Sequence, residues 1–418
     1  MWYYKNSNTN ICKDKFYFNT KRNIYINMCL FIIFFKVFLV NKIFELNFKY
    51  SYMKTKNFFL LFGFYLVFFL RLCQINAQDD STILDYFKHF KVSGYIDAYY
   101  AWDTDKDKTD RQFSATAPVR DQFRLNVVQL SVKYNTDNVR GILTFHQGDI
   151  PEFYWPSNQR LIQEANIGFS FCDKLWLDVG YFQCHFGTEG TFPKNNFLTI
   201  SSVPGFMEPG IQSGIKLSYE FTEKFMGCFH LYNASNLFED NNKNKTFGFL
   251  FNYNITPQFT ISYSNIIGNE MPSNVPGKTL FLNNLSFYYS PCEKVDIVSG
   301  FDMGFQENSK LNDPSATAHF SSGMLSAKYK INSKFSISAM GEFYNDPDGF
   351  FSGTYIIDEN QTTGLKIFGF TLGCEYRPVE FGYLRLESRF LNADKKLKIF
   401  YDNKNTRTEV IFSTGLEF

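Results

Sequence analysis

The chain has 418 residues and a net charge of +1, and 51 of its residues are phenylalanine and 26 tyrosine. Aromatics reach 19%, yet mean hydropathy is −0.24, which excludes a helical membrane protein built on long apolar runs and a nucleic-acid binder built on a basic excess. Such a balance suits a chain in which only every second residue faces oil; a large soluble β-sandwich is the alternative.

Residues 1–52, rich in Asn, Lys, Tyr, Ile and Phe, show no strand alternation. They read as an upstream over-extension of the reading frame, with Met53 as the start. The rival is a membrane segment at 29–44, interrupted by Lys36 and Lys42. From Met53, "MKTKNFFLLFGFYLVFFLRLCQINAQDD" has two lysines, an apolar run from Phe58 to Leu70, and a small residue before Gln78. That is a secretory signal peptide over 53–77, cut after Ala77. Residues 78–89 follow as a short periplasmic tether, too short for a plug domain.

Over 90–418 the chain alternates. In "GIQSGIKLSYEF" (210–221), Ile211, Ile215, Leu217, Tyr219 and Phe221 share one face and Gln212, Lys216, Ser218 and Glu220 the other. "KTFGFLFNYNI" and "KVDIVSGFDMGFQ" repeat the pattern, a period of two that marks half-buried strands. The second face carries Gly, Ser, Asn and charges throughout, as a wet lumen requires. "DQFRLNVVQLSVKY" breaks phase near Val127, which a bulge would explain, and "LWLDVGYFQCHF" is ambiguous in the same way.

Short turns fall at 135–139, 172–175, 222–225, 256–259, 291–295, 332–335 and 377–381. Longer polar connections fall near 103–120, 149–160, 187–209, 235–245, 269–277, 306–318, 345–363 and 392–406. Fifteen connections imply about 16 strands. The fold expected is an all-β, antiparallel, up-and-down transmembrane barrel with short periplasmic turns and long extracellular loops. A barrel of that size encloses an aqueous channel.

"VSGYIDAYYAWD" (92–103), "QFRLNVVQLSVKY" (122–134), "VGYFQCHFGTEG" (179–190) and "LRLESRF" (384–390) stand in this order. Together they resemble the outer-membrane β-barrel porins described as OmpL-like, found in Gram-negative bacteria. The resemblance covers most of 90–418 and implies an outer-membrane location more firmly than any cargo. Residues 1–52 have no counterpart in it.

The chemistry of enzymes is not legible. The histidines His89, His146, His185, His230 and His319 are widely separated; only "CHFG" (184–187) sets a thiol beside an imidazole, on opposite faces of a strand, and no serine or cysteine nucleophile motif is present. "DTDKDKTD" (103–110) spaces three aspartates like a calcium loop, but Lys108 stands where that loop needs glycine and Ser114 where it needs glutamate. No metal and no cofactor is expected. The mature chain would keep five cysteines, an odd number without zinc or haem spacing.

Candidate functional residues therefore come from the lumen face. Alternation puts Arg140, His146, Lys216, Glu220, Asp302, Glu342, Glu375, Arg377, Arg385, Glu387 and Arg389 there. Charges of both signs would set a transverse field across the pore, or stiffen the wall as cross-strand pairs. The third long connection, 187–209, is rich in Phe, Pro and Ser, and by analogy with general porins it would fold inward. Glu189, Lys194 and Glu208 are its constriction candidates. In the last strand, "EVIFSTGLEF", Leu416 and Phe418 face lipid and resemble the C-terminal signal of outer-membrane assembly.

The expected function is passive diffusion of small hydrophilic solutes or ions. The alternative is a surface barrel acting as an adhesin through loops 345–363 and 392–406. Expected partners are outer-membrane lipid, the assembly machinery and the solutes themselves, with no nucleic acid; an oligomer is compatible with this reading.

Overall fold

The computed structural model describes residues 87–106, 110–359 and 361–418. The residues read as an over-extended start, a signal peptide and most of a tether, together with the centre of the 103–110 aspartate run, lie outside the described residues. Ser93–Phe418 form one compact unit. Of the other unit, residues 87–92 are described: a turn with the Phe87 and Phe90 rings 6.3 Å apart.

The strands are β1 (Phe90–Asp103), β2 (Phe123–Asn135), β3 (Val139–Gln147), β4 (Ile162–Cys172), β5 (Leu175–Gln183) and β6 (Ile211–Glu220). They continue with β7 (Phe225–Tyr232), β8 (Thr246–Thr256), β9 (Phe259–Asn269), β10 (Thr279–Cys292), β11 (Val295–Gln306) and β12 (Ala318–Lys330). The last are β13 (Phe335–Asn345), β14 (Tyr355–Asp358), β15 (Gln361–Thr363), β16 (Lys366–Val379), β17 (Gly382–Ala393) and β18 (Thr406–Glu417). β14 and β15 make a hairpin of their own inside the seventh loop. The remaining sixteen close into one antiparallel barrel, with β1 against β18. All seven short turns separate strands where the turn chemistry placed them, and the eight long loops lie at the other end.

Closure leaves no strand edge unpaired, as a bilayer demands. β1 and β18 pair from Tyr95 and Glu417 to Asp103 and Glu409. Phe418 extends the seam: Gly94 donates to its carbonyl at 2.7 Å and its own amide donates to the Gly94 carbonyl at 3.1 Å.

β17 shows the two environments most simply. Leu384, Leu386 and Phe390 are exposed on the outside, while Tyr383, Arg385, Glu387 and Arg389 are buried inside. The break in β2 is real: Asn126 and Val127 are both fully buried. Beyond it Leu130 and Val132 pair with the outward Phe145 and Leu143. β5, by contrast, keeps one phase. Its ambiguity arises because two inward residues, Trp176 and Phe182, are aromatic, and each lies under a cation: Arg140 4.4 Å from the Trp176 centroid and Lys216 5.1 Å from that of Phe182.

The lumen is not polar along its whole height. Toward the long-loop end, inward residues Ile266, Leu280, Leu282, Phe320, Tyr344, Ile367 and Leu391 are apolar and buried. Alternation alone predicts water there. Phe113 of the first loop, Phe186 and Val203 of the third, Leu365 of the seventh, and Leu397 and Phe400 of the eighth pack against them instead. Burying such side chains contributes about 1.5–3 kcal/mol each, so the loops form a cohesive cap inside the barrel mouth.

Candidate functional site

The third loop, 184–210, runs through the lumen rather than over its rim. Two short helical turns stiffen it: a 3-10 turn at Pro193–Asn195, and α1 (Val203–Met207). Ser202 caps α1, its hydroxyl accepting from the Gly205 amide at 3.0 Å. Asn196 closes the first half by accepting from the Gly190 amide at 2.8 Å and donating to the Gly190 carbonyl at 2.7 Å. Glu189 ties the two halves, accepting from the Ser202 amide at 2.8 Å and from its hydroxyl.

The barrel wall then holds the loop by its backbone. Glu387 accepts from the amides of Thr199 at 2.5 Å and Ile200 at 3.0 Å, and Glu342 accepts from the Val203 amide. Arg385 donates to the carbonyls of Pro193 and Asn196, both at 3.0 Å. On the far wall, Tyr288 donates to the Thr188 carbonyl at 3.0 Å, and the Thr188 hydroxyl lies 2.8 Å from that of Ser286. A single segment is thus fixed to β10, β13 and β17.

Several lumen charges sit beneath this loop and beneath the first one. Arg389 pairs with Glu342 at 2.8 Å with both side chains fully buried, and it donates to the Phe113 carbonyl at 3.1 Å. These partners are not on neighbouring strands. Glu342 stands opposite Gly369 of β16, and a Cβ at Gly369 would run into its carboxylate. Gly168 plays the same part on β4, lying between Arg140 and Asp178, which bond at 2.6 Å. A glycine on the strand between lets two charges meet across it.

The remaining candidates fall into place as follows. Asp302 is buried, accepting from Asn284 at 2.7 Å and Ser322 at 2.8 Å. Glu375 takes Lys328 at 2.6 Å, Arg385 at 2.8 Å and Arg377 at 2.9 Å. Lys216 lies 3.4 Å from Asp178, and Glu220 is exposed at the turn end of β6. His146 is inward and buried, edge-on to Trp155 at 4.4 Å and beside Phe192. His185 and His230 stack at 4.0 Å, with Gln212 bonded to both at 2.9 and 2.8 Å. The aspartates at the 103–110 run are engaged within the protein: Asp103 with Arg120 at 3.2 Å, and Asp105 with the Tyr401 amide at 3.1 Å. Among the described residues no His, Cys, Asp and Glu group is set to hold a metal ion, and all five described cysteines are free.

Within the third loop, burial acts on each candidate. It pushes the Glu189 carboxyl up to about 7 and raises that of Glu208 well above its ordinary range. It lowers the amine of Lys194, which lies 4.7 Å from the Tyr95 ring centroid and 3.9 Å from Glu417. Burial also pushes the Cys184 thiol up to about 12, which leaves it inert.

Sequence reasoning missed Arg111, Arg407, Asp178 and Lys328. Arg407 and Glu409 pair with each other, and Arg111 reaches Glu409 from the first loop. The alternation of "TRTEV" puts Arg407 and Glu409 on one face and could have found them. Nothing local signals that Arg111 turns inward.

A closed sixteen-stranded barrel with a loop fixed inside its lumen defines an outer-membrane porin. The family described as "Putative beta-barrel porin-2, OmpL-like" matches residues 89–418, and the chain belongs to it. No curated protein matches the sequence. The fold is similar to that of an anion-selective porin from Comamonas acidovorans, with a TM-score of 0.52 and 11% identity over 79% of this chain and 99% of that one. It is likewise similar to the outer membrane channel DcaP of Acinetobacter baumannii and to Salmonella typhi OmpF in complex with daunomycin. Both have TM-scores of 0.51 and 10% identity over 79% of this chain and 97% of theirs.

Proposed function

We propose that this porin passes small hydrophilic solutes or ions by passive diffusion along a narrow path beside the third loop, with Glu189, Lys194 and Glu208 at the constriction. The carrying observation is the attachment of that loop, through the amides of Thr199, Ile200 and Val203, to carboxylates of the lumen wall. Single-channel recording of the purified barrel in planar bilayers tests it. Defined ohmic steps are expected, and silence from a correctly folded barrel would overturn the channel reading.

The buried Glu189 gives the constriction a pH dependence. Its folded-state value, about 7, lies above that of an unfolded glutamate. Its contribution to loop stability is therefore complete in acid and is lost as pH rises through about 7; Glu208, raised by the same burial, acts with the same sign. Open-channel noise should grow from about pH 5 to about pH 8, and Glu189→Gln should flatten that rise. An unchanged noise profile in the variant would remove Glu189 from this role.

We read Leu416 and Phe418 as the signal met by the assembly machinery, with export depending on a cut after Ala77. Removing Phe418 deletes both hydrogen bonds to Gly94 and a lipid-facing ring at the rim. The deletion should sharply lower the folded, heat-modifiable fraction in the outer membrane. A wild-type fraction would count against the signal.

A further inference from the structure

We propose that the short-turn half of the lumen selects anions, through two cation clusters that face each other across the ring: Arg140 and Lys216 over Asp178, and Lys328, Arg377 and Arg385 over Glu375. This rests on the channel reading above and adds the sign of the permeating ion.

The charge balance comes first. Counting ion pairs alone, Asp178 answers two cations and Glu375 answers three, an excess of one and two positive charges. Other carboxylates of this half have cations of their own or offset single charges: Glu164 on β4 acts on Lys133 as well as on Lys216. Asp296 has Lys330 at 2.6 Å and Glu417 has Lys194 at 3.9 Å, while Glu220, exposed at the end of β6, offsets one charge. Deeper in, Glu387 and Asp97 act on the buried Arg385 and offset its charge, so the excess that meets water lies on Arg140, Lys216 and Arg377.

Exposure has the same sign. The Asp178 and Glu375 side chains are 1% and 4% exposed, whereas Arg140, Lys216 and Arg377 are 33%, 27% and 30% exposed. Water in the vestibule meets these three cations, while Lys328 and Arg385, 11% and 1% exposed, lie deeper with the carboxylates. The cations are also held in place. Arg140 is locked to Asp178 through two nitrogens and lies against Trp176, with the Ser218 hydroxyl at 3.1 Å from one of those nitrogens. Lys216 lies over Phe182, and Arg377 reaches the Glu380 carbonyl at 3.3 Å. Asp178 on β5 and Glu375 on β16 are seven strands apart one way round the ring and nine the other, hence on nearly opposite walls.

A small anion such as chloride or a carboxylate would pass between these walls. In a water-like medium one unbalanced charge roughly 7 Å away enriches a monovalent counterion about threefold, and salt screens the effect. Selectivity should therefore be strongest in dilute electrolyte.

The test is the reversal potential of the reconstituted full-length barrel in a KCl gradient at low ionic strength. Chloride is expected to be the more permeant ion, and Lys216→Gln with Arg377→Gln should move the ratio toward unity by severalfold. Lys243→Gln, on the exposed fourth loop, should leave it unchanged. A cation-selective parent, or a double variant with undiminished chloride preference, would overturn the anion reading while the channel stands. If the double variant does not fold, the sign of the parent's reversal potential decides alone. Absence of conducting steps from a folded parent would overturn the channel and the preference together.

Discussion

Deleting residues 190–205 should raise single-channel conductance severalfold and broaden the range of solutes admitted. The segment carries the backbone groups that Arg385, Glu387 and Glu342 hold inside the lumen. A sixteen-stranded barrel without such a filling has room for an aqueous channel. The ring itself should persist, since every barrel strand pairs with its neighbours and none depends on the loop for its ladder. A milder version is Glu387→Gln, which weakens the grip on two amides without removing the loop and should bring flickering between conductance levels. Conductance equal to the parent's in the deletion variant would mean that the narrowest point lies elsewhere.

The second large effect concerns stability. Arg389→Ala should destabilise the barrel by about 3–5 kcal/mol, because Glu342 would remain buried without its partner. The midpoint of the heat-modifiable transition in detergent would report it. Arg389→Met with Glu342→Leu should recover only part of the loss. Replacing a buried pair by apolar groups is often neutral, but here the Val203 amide would also lose its acceptor, a cost of about 1–3 kcal/mol. A single variant as stable as the parent would show that the pair does not brace the wall.

Much of the architecture was legible because its signals are local. Turn chemistry at 172–175 or 332–335 and alternation on either side need no knowledge of the rest of the chain, and together they give the strand count and the inward face. The candidate charges were legible one by one for the same reason. Their pairing was not. Glu342 and Arg389 meet only because β13, β16 and β17 are consecutive in the ring and Gly369 leaves a gap between them. The inward Trp176 and Phe182 looked like a phase error because alternation does not distinguish an aromatic facing lipid from one facing a guanidinium or an ammonium. The apolar cap was hidden for a related reason. Whether Leu282 or Ile367 faces water depends on where the loops fold, and loop paths leave no periodic trace in sequence.

That cap constrains how the outer face of the protein can change over generations. Loops that pack into one shared core cannot drift singly, because a change at Phe113 or Phe400 is felt by the others. The β14–β15 hairpin is tied to that core through Tyr355, but Ile356 beside it is 80% exposed and the short ladder pairs only with itself. Its outward face is free to vary under attack by antibodies or phage while the mouth behind it stays fixed. Natural variation among relatives should concentrate there.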